Sequence, residues 1–305
     1  MHHRPARRTR LARALAGLSL ACVGGCSGGV LDPAGPVGAG DAAILINATF
    51  IMLAIVVPTI LLAFWIAWRY RASNTKAKYL PHWSYSGRIE AVVWSIPTLT
   101  IMFLGGLIWI GSYQLDPFRP LPSKSPPVEV QVVSLDWKWL FIYPEQGVAS
   151  VNQLVVPAGR PVHFSLTSAS VFNVFFVPRL GSMVYAMPGM VSQLHLQADK
   201  PERLWGTSAQ FSGDGFSDMQ FEVQSVPQRD FDAWAARARG AGPPLDRAAY
   251  AELARQSANL APRGYGSIDP HLFHAIAMGA IAPAPGPAPE GQGHAGREKT
   301  PEGRR

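Results

Sequence analysis

The sequence predicts a membrane protein: a hairpin of two transmembrane α-helices, then an all-β extracytoplasmic domain, then C-terminal helices. Three observations carry this reading. Two apolar runs, residues 42–68 and 91–112, are each long enough to cross a bilayer, which takes about 20 residues. A short segment dense in Lys and Arg lies between them. From Val128 onward, apolar residues fall at alternate positions, the period of a half-buried strand.

The elements follow in chain order. Residues 1–25 carry Arg4, Arg7, Arg8, Arg10 and Arg13, no acid, and then a modest apolar stretch, the layout of a signal peptide. The run ends in "VGGC", which resembles a lipobox and makes Cys26 the candidate lipidated residue, heading an N-terminal segment 26–41. Cys22 in "SLAC" is the weaker alternative, and the plainer reading is an ordinary secretory signal. Cys22 and Cys26 are the only cysteines, so the mature body holds no thiolate ligand and no internal disulfide. The net charge of +7 also resides largely here, since without those five arginines 22 basic residues face 20 acidic ones. Five of these 22 (Arg69, Arg71, Lys76, Lys78 and Arg88) lie in the segment between the apolar runs. The charge therefore reports targeting and topology, and no face for nucleic acid remains.

The first span, 42–68, contains Pro58 and ends in Trp65, Trp68 and Tyr70; the second, 91–112, contains Pro97 and ends in Trp109 and Tyr113. Prolines are tolerated in membrane helices, and Trp and Tyr favour the interface. The basic segment 69–90 faces the cytoplasm by the positive-inside rule, so both ends of the hairpin face out. Lipidation of Cys26 requires the same outward N-terminus. Within the spans, Asn47, Thr49 and Thr59 are expected to form helix–helix hydrogen bonds.

Residues 125–226 read as a small β domain. "VEVQVVS", "PVHFSLTS", "VSQLHLQ" and "MQFEVQS" alternate, and "YPEQG", "PAGRP", "MPG" and "SGDG" supply turns. Residues 227–280 turn helical, with Phe231 and Trp234 at i,i+3 and Gly279 as a stop. The Pro/Gly-rich stretch 281–305 reads as a disordered tail.

The stretch "GTSAQFSGDGFSDM" (206–219), together with "WRYRASN", "EAVVW", "DWKWLFIYPEQG" and "FFVPRLGSMVYAMPGM", resembles subunit II of the haem–copper terminal oxidases, specifically of the cytochrome bo-type ubiquinol oxidases. The resemblance covers roughly residues 26–280 and implies that the β domain is cupredoxin-like. Members that oxidise cytochrome c hold a copper pair in that domain, in a loop of the form C-x-E-x-C-x-x-x-H-x-x-M with an earlier histidine. At the matching positions this sequence has Ser208, Gln210, Ser212, Phe216 and Met219, and Asn173 replaces the earlier histidine. Copper of that kind needs thiolates and imidazoles. The hydroxyls of serine are hard and stay protonated, and a phenyl ring does not ligate, so no metal is expected.

The resemblance assigns further residues. Glu90, at the start of the second span, matches a glutamate at the mouth of a proton-uptake channel, although an acid at a helix N-terminus is favourable by itself. Trp137 and Trp139 match the aromatic patch that passes electrons from cytochrome c to copper; without copper, packing is their expected role. His163 and His195 alternate with inward residues and are expected to face out of the sandwich, while His271 and His274, at i,i+3, lack a third ligand.

The expected function is thus a non-redox subunit of a proton-pumping ubiquinol oxidase, with no catalytic residue and no cofactor in this chain. Haems and a copper are expected in the partner subunit I, with further small membrane subunits, membrane lipid, and ubiquinol met through the complex. The expected location is the bacterial inner membrane with the main domain periplasmic. A different class, a membrane-anchored envelope lipoprotein with a cupredoxin-like binding or assembly domain, is the alternative. It needs only one anchor where this chain has two spans and a lipid site. A cytochrome c oxidase subunit is set aside by the missing cysteines.

Overall fold

The computed structural model describes residues 29–78 and 80–282. Cys26, the signal segment and most of the expected tail lie outside the described residues. The chain divides into two compact units, residues 40–116 and a second formed by residues up to 39 together with those from 117 onward.

The first unit is the helical hairpin. Helix α1 (Pro36–Arg69) and helix α2 (Gly87–Gln114) are each long and apolar enough to span a membrane. At 34 residues α1 is about 51 Å long, longer than a hydrocarbon core of about 30 Å. The helices meet where side chains vanish. A Cβ on Gly111 would lie 2.5 Å from Ile44 Cδ1, and one on Gly40 would lie 2.7 Å from Leu115 Cδ2. The interhelical hydrogen bonds expected of Thr49 and Thr59 are not what these hydroxyls make. Each donates to the carbonyl four residues back, of Leu45 and Ile55 respectively, at 2.7 Å. A threonine on a helix satisfies its hydroxyl locally, so it needs no neighbour.

The second unit is a β-sandwich, confirming the predicted class. Its strands are β1 (Val128–Leu135), β2 (Lys138–Tyr143), β3 (Val148–Val151), β4 (Gln153–Pro157), β5 (Val162–Ser168), β6 (Asn173–Phe176) and β7 (Met183–Ala186). They continue with β8 (Ser192–Leu196), β9 (Glu202–Ser208) and β10 (Gln220–Val226). After them come α3 (Gln228–Ala241), β11 (Pro244–Leu245), α4 (Arg247–Leu253), β12 (Arg263–Tyr265), β13 (Ser267–Ile268) and α5 (Leu272–Ala277). One sheet runs β12-β3-β2-β1-β5-β8 and the other β4-β10-β9-β6-β7, with β11-β13 a small third. The pairs β1/β5 and β4/β10 are parallel, so both large sheets are mixed.

Alternation along β1 and β5 sends Val130, Val132, Phe164 and Leu166 inward, where Phe164 meets Phe175 of β6 at 5.4 Å. The centre is aromatic. Trp139 packs edge-on against Phe175 at 5.5 Å, and Phe175 stacks on Phe221 at 5.2 Å. Tyr143 of β2 reaches β4, where its hydroxyl donates to Val155 O at 3.0 Å and accepts from Val155 N–H at 2.9 Å.

Every residue of β2 is buried, which one core cannot explain. The outer face of β1–β3 is covered by a second apolar cluster in which Leu140, Ile142 and Val151 meet Tyr250, Leu253, Phe273 and Ile276. The C-terminal stretch therefore forms a second layer, and besides its helices it contributes short strands that its composition does not announce. The N-terminal segment docks on this unit too. Ala34 N–H donates to Arg179 O (2.7 Å) and Gly38 N–H to Leu180 O (2.9 Å). Arg179 also holds Asp32 (3.0 Å) and Glu202 (2.6 Å) through its guanidinium.

Candidate functional site

The β9–β10 connection, residues 209–219, is the loop singled out in the sequence. It leaves β9 after Ser208, turns through Gly213 (φ +104), makes one 3₁₀ turn at Phe216–Asp218, and returns at Gln220. Only a residue without a Cβ adopts that φ readily. The loop is held from three sides. Ser208 N–H donates to Met219 O (3.1 Å), Ala209 N–H to Val174 O (3.1 Å), and Asn259 of the C-terminal layer to Asp218 Oδ2 (3.0 Å).

Asn173 opens β6 beside β9, where Phe175 pairs with Ser208. Asn173 is buried at 1% exposure and Ser208 at 3%. The Ser208 hydroxyl lies 3.0 Å from Asn173 Oδ1 and 3.3 Å from Gln210 O, and Asn173 Nδ2–H donates to Ser134 Oγ at 2.8 Å. Three side chains from β1, β6 and β9 thus form a closed polar chain inside the sandwich. Gln210 contributes its carbonyl rather than its side chain. Met219 is fully buried, Phe216 packs edge-on against the exposed Phe211 at 5.7 Å, and Ser212 Oγ is buried without a hydrogen-bond partner.

These residues do not fit a copper pair. The donors are hydroxyls, an amide and one thioether, and the central ones already satisfy one another. Among the described residues, no group of three or more His, Cys, Asp or Glu is arranged to hold a metal ion. What the arrangement does chemically is pair buried polar groups with one another, which offsets the cost of desolvating them.

The two tryptophans expected as one patch have separate roles. Trp139 is 0% exposed and belongs to the aromatic core, where its indole N–H has no hydrogen-bond partner. Trp137 sits in the two-residue turn between β1 and β2 at φ +60 and donates its indole N–H to Ser212 O (3.1 Å). Its ring lies on Gly215, where an added Cβ would come within 2.3 Å of Cδ2. The strand register sends alternate side chains to opposite faces, and a tight turn re-aims one ring without moving the other.

His163 and His195 lie on the opposite side of β5 and β8 from Phe164 and Leu194, as alternation predicts, but they are not simple surface residues. They are directly paired across the strands, with rings stacked at 4.6 Å, and His195 is only 7% exposed. His163 Nδ1 meets Glu129 Oε2 at 2.6 Å, and His195 reaches Pro117 O at 3.1 Å. His271 and His274 are exposed, the first at the N-cap of α5 and the second within the helix. Glu90 lies in the first turn of α2 and is exposed.

Sequence reasoning missed Ser134 and Lys138. Ser134 continues the inward series Val128, Val130, Val132 by one more step of two, and a serine in that series signals a buried polar partner. Lys138 gives no such sign. Its side chain is 0% exposed, and Nζ donates to Arg255 O (2.6 Å) and Ser257 Oγ (2.7 Å). Burial lowers its pKa to about 8, partly opposed by the charge of Asp136.

Residues 106–226 match the family "Cytochrome C oxidase subunit II, periplasmic domain", and residues 239–283 match the "COX Aromatic Rich Motif", which coincides with most of the second layer. The chain is 46% identical to the cytochrome bo(3) ubiquinol oxidase subunit 2 of Pseudomonas aeruginosa, covering 85% of this chain and 80% of that protein. It is 48% identical to the ubiquinol oxidase subunit 2 of Acetobacter aceti, covering 88% and 87%. Among solved structures, the periplasmic domain of cytochrome oxidase subunit II of Bradyrhizobium japonicum aligns with 38% of this chain and 96% of its own, at 22% identity and a TM-score of 0.36.

Proposed function

The chain belongs to the subunit II family of ubiquinol oxidases, and from that membership we propose that it is a non-redox subunit of a proton-pumping respiratory complex that oxidises ubiquinol and reduces oxygen to water. In this reading, haems and a copper reside in subunit I, and no electron passes through this chain. The observation that carries it is the closed chain Ser134–Asn173–Ser208, which fills with hydrogen bonds the place where copper-bearing relatives need thiolate and imidazole. The chain's own work is structural: the hairpin packs among the membrane helices of subunit I and further small subunits, and the sandwich caps their outer face.

The remaining assignments belong to the same proposal. The hairpin loop faces the cytoplasm and the sandwich the periplasm of a bacterial inner membrane, with Cys26 carrying lipid. Glu90, exposed at the loop end of α2, stands where a proton-uptake path into subunit I would open. The N-terminal segment is tied to the sandwich through Arg179, which suits a lipid anchor held against that domain.

The deciding experiment is to tag this chain, purify it gently from native membranes, and record the haem spectrum. Oxygen uptake is then measured with ubiquinol and, separately, with reduced cytochrome c. Haem with ubiquinol-driven uptake and no response to cytochrome c is the expected result. A haem-free lone protein would overturn the proposal in favour of an envelope lipoprotein.

A further inference from the structure

At the loop end of α1 the first unit contains a cavity of about 730 Å³, distinct from every residue discussed above as a site. Its floor is apolar, formed by Trp65, Ile66 and Ile89, with Leu80 and Trp83 beside them. These side chains are well exposed in the chain alone, Trp65 at 53% and Trp83 at 59%. Its rim is cationic, formed by Arg71 and Lys78, and among the described residues no acid lines it. Arg71 is held in place: Nε–H donates to Ser73 Oγ (2.9 Å), Nη1–H to Trp68 O (3.2 Å), and the guanidinium lies over the Trp68 ring at 5.1 Å. Two of its five donors are used in this way, leaving the rest for a ligand. The turn beneath is fixed by Asn74, whose Nδ2–H donates to Arg69 O at 2.5 Å.

We propose that this cavity binds the headgroup of an anionic phospholipid, with the phosphate on Arg71 and Lys78 and the first acyl carbons along Trp65, Ile66 and Ile89. The position fits, because the cavity begins where the apolar run ends, at the level where aromatic and basic side chains meet lipid phosphates. The chemistry discriminates among occupants. A free phosphate would leave the apolar floor uncovered. An uncharged quinol would leave both cations unpaired. A zwitterionic headgroup would bring an ammonium to a rim that has no carboxylate to receive it. The inference rests on the hairpin lying in a membrane and is independent of the oxidase reading.

The test uses the full chain in nanodiscs of equal phosphatidylglycerol and phosphatidylcholine, followed by native mass spectrometry to count the lipids that stay bound. Two cations at a membrane surface give roughly a thirtyfold preference for the anionic lipid. R71Q/K78Q is expected to erase the preference. K76Q/R88Q removes the same charge from the same basic segment 69–90 at residues that do not line the cavity, and it is expected to retain the preference. Equal retention of both lipids by the wild-type chain, equal loss in the two variants, or displacement of the lipid by excess inorganic phosphate would each overturn the proposal. The wild-type arm involves no substitution, so a poorly folded variant leaves the test intact.

Discussion

The polar chain inside the sandwich makes a quantitative prediction. Asn173→Ala removes the acceptor of the Ser208 hydroxyl and the donor to Ser134, bonds of 3.0 and 2.8 Å between buried groups. Each such bond contributes about 1 kcal/mol net, and an orphaned buried partner costs about 1–3 kcal/mol. Ser208 keeps a fallback acceptor in Gln210 O at 3.3 Å, so the main orphan is Ser134. The expected loss for Asn173→Ala is therefore about 2–3 kcal/mol, and for Ser208→Ala, which leaves Asn173 Oδ1 without its donor, about 1–3 kcal/mol. Both substitutions delete the same Asn173–Ser208 bond, so the double variant should fall short of additivity by about 1 kcal/mol. The assay is urea unfolding of the full chain in detergent, followed by circular dichroism and by hydrogen exchange of the β6 and β9 amides. Additivity to within about 0.3–0.5 kcal/mol would refute the closed chain as a working hydrogen-bond network.

Three further outcomes are expected. Gly215→Ala drives a Cβ into the Trp137 ring, so the loop should loosen at a cost of about 1–3 kcal/mol and the indole should become more solvent-accessible to fluorescence quenchers. Lys138, held near pKa 8 by burial against 10.5 in the unfolded chain, binds its proton less well when folded, so stability should rise as pH increases from 8 towards 10. The gain should be about 1–2 kcal/mol and be absent in Lys138→Met; above pH 10 the buried phenols of Tyr143 and Tyr250, held neutral by the fold, act in the opposite direction. Glu90→Gln in the purified oxidase should slow oxygen uptake several-fold with ubiquinol KM unchanged, whereas unaltered turnover would leave Glu90 a helix-end residue only.

The kinds of elements and the chemistry the loop lacks are legible in the order of the residues. Apolar length specifies a spanning helix, period two specifies a strand face, and Ser208, Ser212 and Asn173 exclude thiolate and imidazole wherever they are placed. These are properties of single residues or of a short stretch's own geometry. What lies against what emerges only when the chain is folded. The parallel pairing of β1 with β5 joins residues 34 apart in the chain, and the second apolar layer over β2 joins segments about a hundred residues apart or more, contacts that no local period encodes. The same holds for the stacking of His163 on His195, where alternation predicted the face but not the cover. Asn173 and Ser208 could be matched to ligand positions from the sequence, yet their closure on Ser134 required β1, β6 and β9 to be brought together. Burial and pairing are decided by the whole chain at once, because a polar group is satisfied by whichever partner the fold delivers within about 3 Å.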